Sequence, residues 1–487
     1  MRKLFFTNNH VKILFFTTCL ALIYYSWNIN SWKFSYVGDE WAFYVFAKEI
    51  VSHHFIINPF DFHGVYWQNT VLSSIYQALF LKLIGFSNFA WRLSNIALII
   101  PITIFFYKWM KKSFEPEIAL YSTILLQCSF YLANFFKVGK NMPQALALLL
   151  VCLFAADNCT KNPSKKNFFI LGLLLGVSFY IYIGPIFPIL IWPYLLPLLH
   201  KDRFKQAFPS SLFLILGYSL LLFPSLVQFS TWDGPAGKTF LHREFTDNKQ
   251  ILINIYHNFL LFYKNYDYIF AQFVAGPYLD IISRILAFIG TLIALFHIRK
   301  NKYLFLFISY ISTCIIIGIT SPYVYAPTTR GIFFLPFGAA FAGIALYYIM
   351  KKMPKYFIVL TLSLVFILNF YQSQIGVFKI SGYSGTALVI KAMQDAQRSN
   401  TIKNTILLLS DTNSYRYDNL GEMRQAYDLE KIPFSIVSAS QLQCLHLNNA
   451  KIIMFDYDTR AINVYNQIQC PSKFNHSREV LYPKINL

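Results

Sequence analysis

Shortly after a first apolar stretch the chain reads Val37-Gly38-Asp39-Glu40-Trp41, and the adjacent carboxylates of Asp39 and Glu40 are its best candidates for chemistry. A carboxylate near a low-dielectric surface, with cations beside it, can take a proton from an attacking hydroxyl or hold a divalent metal against a phosphate. Acids at the start of a helix also favour its dipole, so spacing alone leaves both readings open. Other motifs carry less. The adjacent pair His53-His54 is a poor chelator, His63 and His242 stand apart from it, and no CxxC pair is present. Gly237-Lys238-Thr239 falls short of a nucleotide-binding loop, because Trp232 stands where its first glycine is required.

The elements that must position these acids are read from composition. Of 487 residues 56% are hydrophobic and 13% charged, against about a quarter charged in an ordinary soluble domain. A soluble molecule would have to expose that surplus, so lipid is the expected solvent. The formal charge of +20 would suit nucleic acid if Lys and Arg shared one soluble face; they sit between apolar runs instead. That placement fits cytoplasmic loops and anionic membrane lipids as partners, not nucleic acid.

Eleven apolar stretches are expected to span: 13–30, 93–107, 118–135, 142–156, 168–183, 186–199, 211–229, 279–298, 303–320, 331–350 and 356–371. With a cytoplasmic N-terminus the inner connections carry Lys108, Lys111, Lys112; Lys161, Lys165, Lys166; Lys201, Arg203, Lys205; Arg299, Lys300, Lys302; and Lys351, Lys352, Lys355. The short outer turns are poorer in basic residues, as the positive-inside rule requires. This alternation holds only if the moderately apolar stretch 71–86 lies at the outer surface or re-enters it. Two long outer loops result, 31–92 and 231–278, and loops of such length are commonly functional. From about residue 373 the composition turns polar. The runs 405–409, 434–437 and 451–455 read as strands and 386–398 as a helix, so 373–487 is expected to be a small extracytoplasmic α/β domain. Its Cys444 and Cys470 would be free to pair in an oxidising compartment.

The order of features resembles the protein O-mannosyltransferase family, glycosyltransferase family 39, and the related lipid A aminoarabinose transferases. Asp39-Glu40 matches their acid pair after the first span, Leu83-Ile84-Gly85-Phe86 their Leu-Phe-Gly turn, and Arg92-Leu93-Ser94 their Arg-Leu-Ser. Thr329 to Pro336 is similar to the Arg-Tyr-Leu-Leu-Pro segment that opens a late helix. Two places depart from the pattern: His63 to Asn69 replaces a Lys-Pro-Pro, and Lys140-Asn141-Met142 stands where many relatives carry an Asp.

The resemblance implies a GT-C fold over 1–372 and an inverting transfer from a polyprenyl-phosphate sugar, without a required metal. The acceptor would be a glycan, lipid or protein hydroxyl. Asp39 would be the base and Glu40 its supporting acid; Arg92, Lys238, Arg243 and Arg330 would meet the donor phosphate, arginine gripping it in a fork. A divalent ion at Asp39 and Glu40 is the alternative arrangement. The rival functions are a flippase of lipid-linked saccharides, which would carry its acids inside the bundle, and an inactive scaffold of the same fold.

Overall fold

The computed structural model describes residues 2–29, 40–56, 71–182, 186–199, 201–229, 248–263, 265–266, 276–320, 330–351, 353–381, 391–392, 395, 398, 405–409, 428–429, 435–443, 451–455, 459–467 and 477–481. Asp39, Lys238, Arg243, Cys444 and Cys470 lie outside them, as does most of the helix expected at 386–398.

Each of the eleven apolar stretches meets helix. In chain order the helices of the bundle and its loops are α1 (Arg2–Ser26), α2 (Glu40–Ser52), α3 (Val71–Ile84), α4 (Asn88–Ile96), α5 (Ile99–Ser113), α6 (Pro116–Cys128), α7 (Phe130–Lys137) and α8 (Met142–Lys161). They continue as α9 (Lys165–Val177), α10 (Ile186–Leu195), α11 (Lys201–Phe229), α12 (Asn248–Phe259), α13 (Ile281–Phe296), α14 (Asn301–Thr320), α15 (Leu335–Met350) and α16 (Lys355–Ser381). Among the described residues five helices are long and apolar enough to cross a membrane unaided, six if the bent pair α6 and α7 counts as one span. The others, such as α10 and α13, are shorter and close-packed. α9 and α11 meet through Gly172 and Gly217, where a Cβ would run into the partner backbone at Leu214 and Phe169. Such close approach of small residues is how helices associate where water gives no hydrophobic drive.

Side-chain bonds sort the helix ends into two sets. One end joins His10 to Tyr107, Lys112 and Lys161 to Asp157, Arg203 to the Thr160 carbonyl, and Lys302 to Glu115. The opposite end gathers Ile29, Glu40, Asn88, Lys137 to Asn141, Ile181 and Arg330. The stretch 71–86 starts and finishes at that second end: Val71 packs on Phe179 and Tyr180, and Asn88, three residues past Gly85, reaches the Ile29 carbonyl. Helix α3 therefore returns to the side it left, against α2 and α4.

The sequence predicts one span over 118–135; the structure breaks it at Ser129 with a bend of 53°. No proline or glycine causes this. Ser129 caps α7 by accepting from Leu132 N, and two backbone groups released by the break find side chains on other helices. Tyr25 Oη donates to the Gln127 carbonyl at 2.8 Å, and Phe130 N donates to Asn369 Oδ1 at 2.9 Å. Asn369 Nδ2 in turn donates to Asp280 Oδ2 at 2.8 Å, while Asp280 Oδ1 caps α13. A broken helix is tolerated at membrane depth when neighbours satisfy the freed groups in this way.

The tail carries a four-stranded parallel sheet, order β4-β3-β5-β6, from β3 (Thr405–Leu409), β4 (Ser435–Ser438), β5 (Lys451–Phe455) and β6 (Ser477–Leu481); β1 (Asn265–Tyr266) and β2 (Gly276–Pro277) form a separate two-residue ladder. Parallel neighbours need a crossover, and α17 (Thr459–Gln467) supplies it between β5 and β6. Its Ala461, Ile462 and Tyr465 pack with Ile406, Leu408, Ile452 and Met454. The strands expected from sequence are present nearly residue for residue; β6 was not expected.

Candidate active site

The chain enters the site through a turn. Gly85 adopts φ +101°, a conformation glycine takes without steric penalty, and closes α3 by donating to the Leu81 carbonyl. Ser87 then caps α4 by accepting from Ala90 N at 3.2 Å. Four and five residues after that cap, α4 presents Trp91 and Arg92, both fully buried.

Glu40, the first residue of α2, points into this wall. Its Oε1 accepts from Trp91 Nε1 at 2.7 Å and lies 3.1 Å from Arg92 Nη1, which is 3.3 Å from Oε2; both charged side chains are 0% exposed. Arg92 Nε donates to Asn88 Oδ1 at 3.1 Å, and Nη1 also donates to the Lys137 carbonyl. A buried charge is tolerated only when paired and hydrogen-bonded, and here both conditions are met. Nε and Nη1 of Arg92, expected from sequence to meet the donor phosphate, are directed at protein groups in a buried wall, where they hold Glu40 and the turn after α7.

That turn, Val138 to Asn141, is pinned from several sides. Gln77 Nε2 donates to the Gly139 carbonyl at 2.7 Å, and Asn95 Nδ2 donates to the carbonyls of Val138 and Lys140, each at 2.7 Å. Asn141 Nδ2 donates to the Ile181 carbonyl. Gly139 is required by space: a Cβ there would collide with Trp91 Nε1 and Glu40 Oε1. The turn is flanked by Lys137 and Lys140, both buried. Where relatives place an Asp, this chain therefore has a braced, basic turn.

The fourth expected cation, Arg330, opens a 3-10 turn, Arg330–Phe334, that leads into α15 and packs against α8. Tyr278 Oη donates to the Gly331 carbonyl, and the Tyr278 ring lies 4.4 Å from that of Tyr131 of α7, tilted by 49°. Arg330 Nη1 is buried without a hydrogen-bond partner among the described residues. Phe333, three residues on, meets Tyr182, which follows the carbonyl that Asn141 holds.

The C-terminal part reaches the same wall. Asp428 Oδ2 pairs with Lys48 Nζ at 2.6 Å and accepts from Tyr44 Oη at 3.0 Å, and Leu429 is buried among Phe43, Tyr44, Ala47 and Trp91. Burial, and then the charge of Asp428, holds the Tyr44 phenol well above its usual value, so it remains a donor. The Tyr44 ring stands edge-on to Trp91 at 5.5 Å.

Glu40, Arg92 and Arg330 thus share one end of the bundle, while Asp39 is one peptide bond from Glu40 and itself outside the described residues, with Lys238 and Arg243. Trp91, Gly139, Asn95 and Gln77 were not singled out from sequence. The adjacency of Trp91 to Arg92, and a glycine between two lysines in an outer turn, were the available signals.

A family model described as dolichyl-phosphate-mannose-protein mannosyltransferase matches residues 69–227, which include α4, the braced turn and α8. No curated protein sequence matches the chain. Among solved structures, ArnT from Cupriavidus metallidurans bound to undecaprenyl phosphate is similar in fold, with TM-score 0.56 and 9% identity over 95% of this chain and 95% of that one. Its apo state gives TM-score 0.52 and 9% identity over 97% and 90%. The Archaeoglobus fulgidus oligosaccharyltransferase tethered with an acceptor peptide gives TM-score 0.49 and 12% identity over 89% of this chain, which spans 64% of that one. The chain resembles GT-C glycosyltransferases, and its helical bundle with a small C-terminal sheet is a GT-C fold.

Proposed function

We propose that this chain is a membrane glycosyltransferase that moves a monosaccharide, with inversion, from a polyprenyl-phosphate carrier to a hydroxyl of a lipid-linked or surface glycan. A protein hydroxyl is the second acceptor class. The observation that carries this reading is the buried Glu40–Arg92 pair, which fixes the start of α2, and hence the neighbour of Asp39, against the basic turn 137–141. In this reading the acceptor oxygen attacks the anomeric carbon, its proton passes to Asp39, and the bond from that carbon to the phosphate oxygen breaks. Polyprenyl phosphate leaves, and cations must meet its charge.

Arg330 is the described cation best suited to that role, because its Nη1 has no hydrogen-bond partner among the described residues; Lys238 and Arg243 of the second long loop remain candidates. Glu40 acts as an anchor and not as a second acid, since Arg92 and Trp91 already occupy its oxygens. For the same reason a divalent ion bridging Asp39 and Glu40 would have to displace an arginine, and the reading is metal-independent.

A flippase would need acids along the bundle axis. Among the described residues buried Glu40 stands at one end of the bundle and the largely buried Asp157, paired with Lys112 and Lys161, at the other, while buried Asp280 is spent on capping α13 and on Asn369. The basic connections at the Asp157 end support a cytoplasmic placement of that end, with the site on the outer side of the membrane.

The test is transfer of label from polyprenyl-phosphate sugars by the purified protein and its Asp39→Asn variant. Loss of a general base lowers the rate about 10²- to 10⁴-fold, so a variant that transfers at the wild-type rate would refute Asp39 as the base.

A further inference from the structure

Asn134 lies on α7 three residues before Lys137 and three after Tyr131, so these side chains share one helix face. It is 2% exposed, and neither Oδ1 nor Nδ2 has a hydrogen-bond partner among the described residues. Leaving a buried amide unpaired is costly, and native proteins rarely do so without reason. The surroundings point to a ligand. The Tyr131 ring packs tilted against Tyr278, which bonds the residue next to Arg330, and Arg330 Nη1 is likewise buried and unpartnered among the described residues. Gln144, in the first turn of α8 beyond the braced turn, has an unpartnered Nε2. Three polar side chains with unused groups therefore stand where α7, α8 and the Arg330 turn meet, at the end of the bundle that holds Glu40.

The kinds of unused group differ. Arg330 Nη1 and Gln144 Nε2 only donate, and a phosphodiester, which only accepts, would satisfy them. Asn134 offers a donor and an acceptor together, and an ionised phosphodiester has no proton to give Oδ1. An amide flip does not alter this, because both atoms are unpaired. A sugar hydroxyl gives and accepts in one group. We infer that Asn134 is a specificity-determining residue that binds hydroxyls of the donor's glycosyl unit, while Arg330 and Gln144 face its phosphate. The inference rests on the polyprenyl-phosphate-sugar reading above and adds to it which end of the donor each residue meets.

The experiment titrates the full-length protein in nanodiscs with undecaprenyl phosphate and with a panel of undecaprenyl-phosphoryl hexoses and pentoses. Wild type should bind at least one sugar-bearing lipid more tightly than the bare carrier. Asn134→Leu and Asn134→Ala should bind the bare carrier as wild type does and lose about tenfold in affinity for the sugar-bearing lipid, the loss of one or two hydrogen bonds. Both variants should melt no lower than wild type, since they remove an unpaired amide. Variants that weaken both lipids equally, or neither, would overturn the inference and leave the donor reading standing. So would variants that unfold, because Asn134 would then be a packing residue. Wild type binding neither class of lipid would bring down the donor reading and this inference together.

Discussion

At the residue scale the site depends on a buried ion pair and a glycine. Removing one partner of such a pair strands the other charge, so Glu40→Gln or Arg92→Met should each cost about 3–5 kcal/mol, read as a fall in thermal stability of the purified protein. The Glu40→Gln, Arg92→Met double variant should fall by less than the sum, and strict additivity would show that the two side chains do not act as a unit. Gly139→Ala should destabilise by about 1–3 kcal/mol through overpacking against Trp91 and Glu40, with a matching fall in transfer activity; a stable, active alanine variant would mean that the turn has room to yield. The acid pair and its arginine were legible in the sequence because charged residues beside apolar runs are conspicuous. Their division of labour was not. Whether Arg92 faces a ligand or Glu40 depends on the rotation of α4 about its axis, which the Gly85 turn and the Ser87 cap set in three dimensions.

At the element scale the decisive feature is the bend between α6 and α7, which directs Lys137 to Asn141 at the wall of Glu40 and Arg92. Asn369→Leu would leave Phe130 N and Asp280 Oδ2 without that partner. We expect a loss of about 1–3 kcal/mol, and faster amide exchange at Phe130, Tyr131 and Leu132 measured by hydrogen-exchange mass spectrometry. Unchanged exchange there would show that the bend holds itself. Apolar length alone predicted one continuous span, because Ser129 is an ordinary helix residue by propensity. What makes it a break is Tyr25 from α1 and Asn369 from α16, contacts far away in sequence. The strands of the C-terminal sheet were easier to read, since a short apolar run bounded by polar residues carries its own signal; β6, with Arg478 and Glu479 inside it, gives none.

At the scale of the whole molecule, the outward faces of α11 and α16 carry Leu212, Leu216, Leu220 and Phe223, and Val359, Leu360, Leu364 and Ile367, all exposed. Apolar stripes of that extent belong against lipid acyl chains, and the protein is a multi-pass membrane protein. We propose from the positive-inside rule that the end with the basic connections is cytoplasmic. Reporter fusions after Lys112, Lys166 and Lys352 should report cytoplasm and one after Gln372 the opposite side, and agreement of all four on one side would overturn the orientation. The helical, apolar character of the bundle was legible as apolar runs, whereas the return of α3 to the end it left was legible only through the charge of later loops. Its cause is local: α3 buries Ser73, Ser74 and Gln77 against protein, and a helix with that polar face has more to gain from α2 and α4 than from crossing lipid.

Asn369 also sets the order in which the molecule can be finished. The Asp39–Glu40 pair is made early in synthesis, but the bend that presents the turn opposite it waits on a side chain more than two hundred residues downstream of Phe130, in α16. Until the ribosome has released that helix and it has docked, with Tyr24 donating to the Asn369 carbonyl, the Phe130 amide must find other company in the bilayer. A half-made chain therefore carries the acids without the opposing turn in place, and the bend is completed only when α16 docks beside α1.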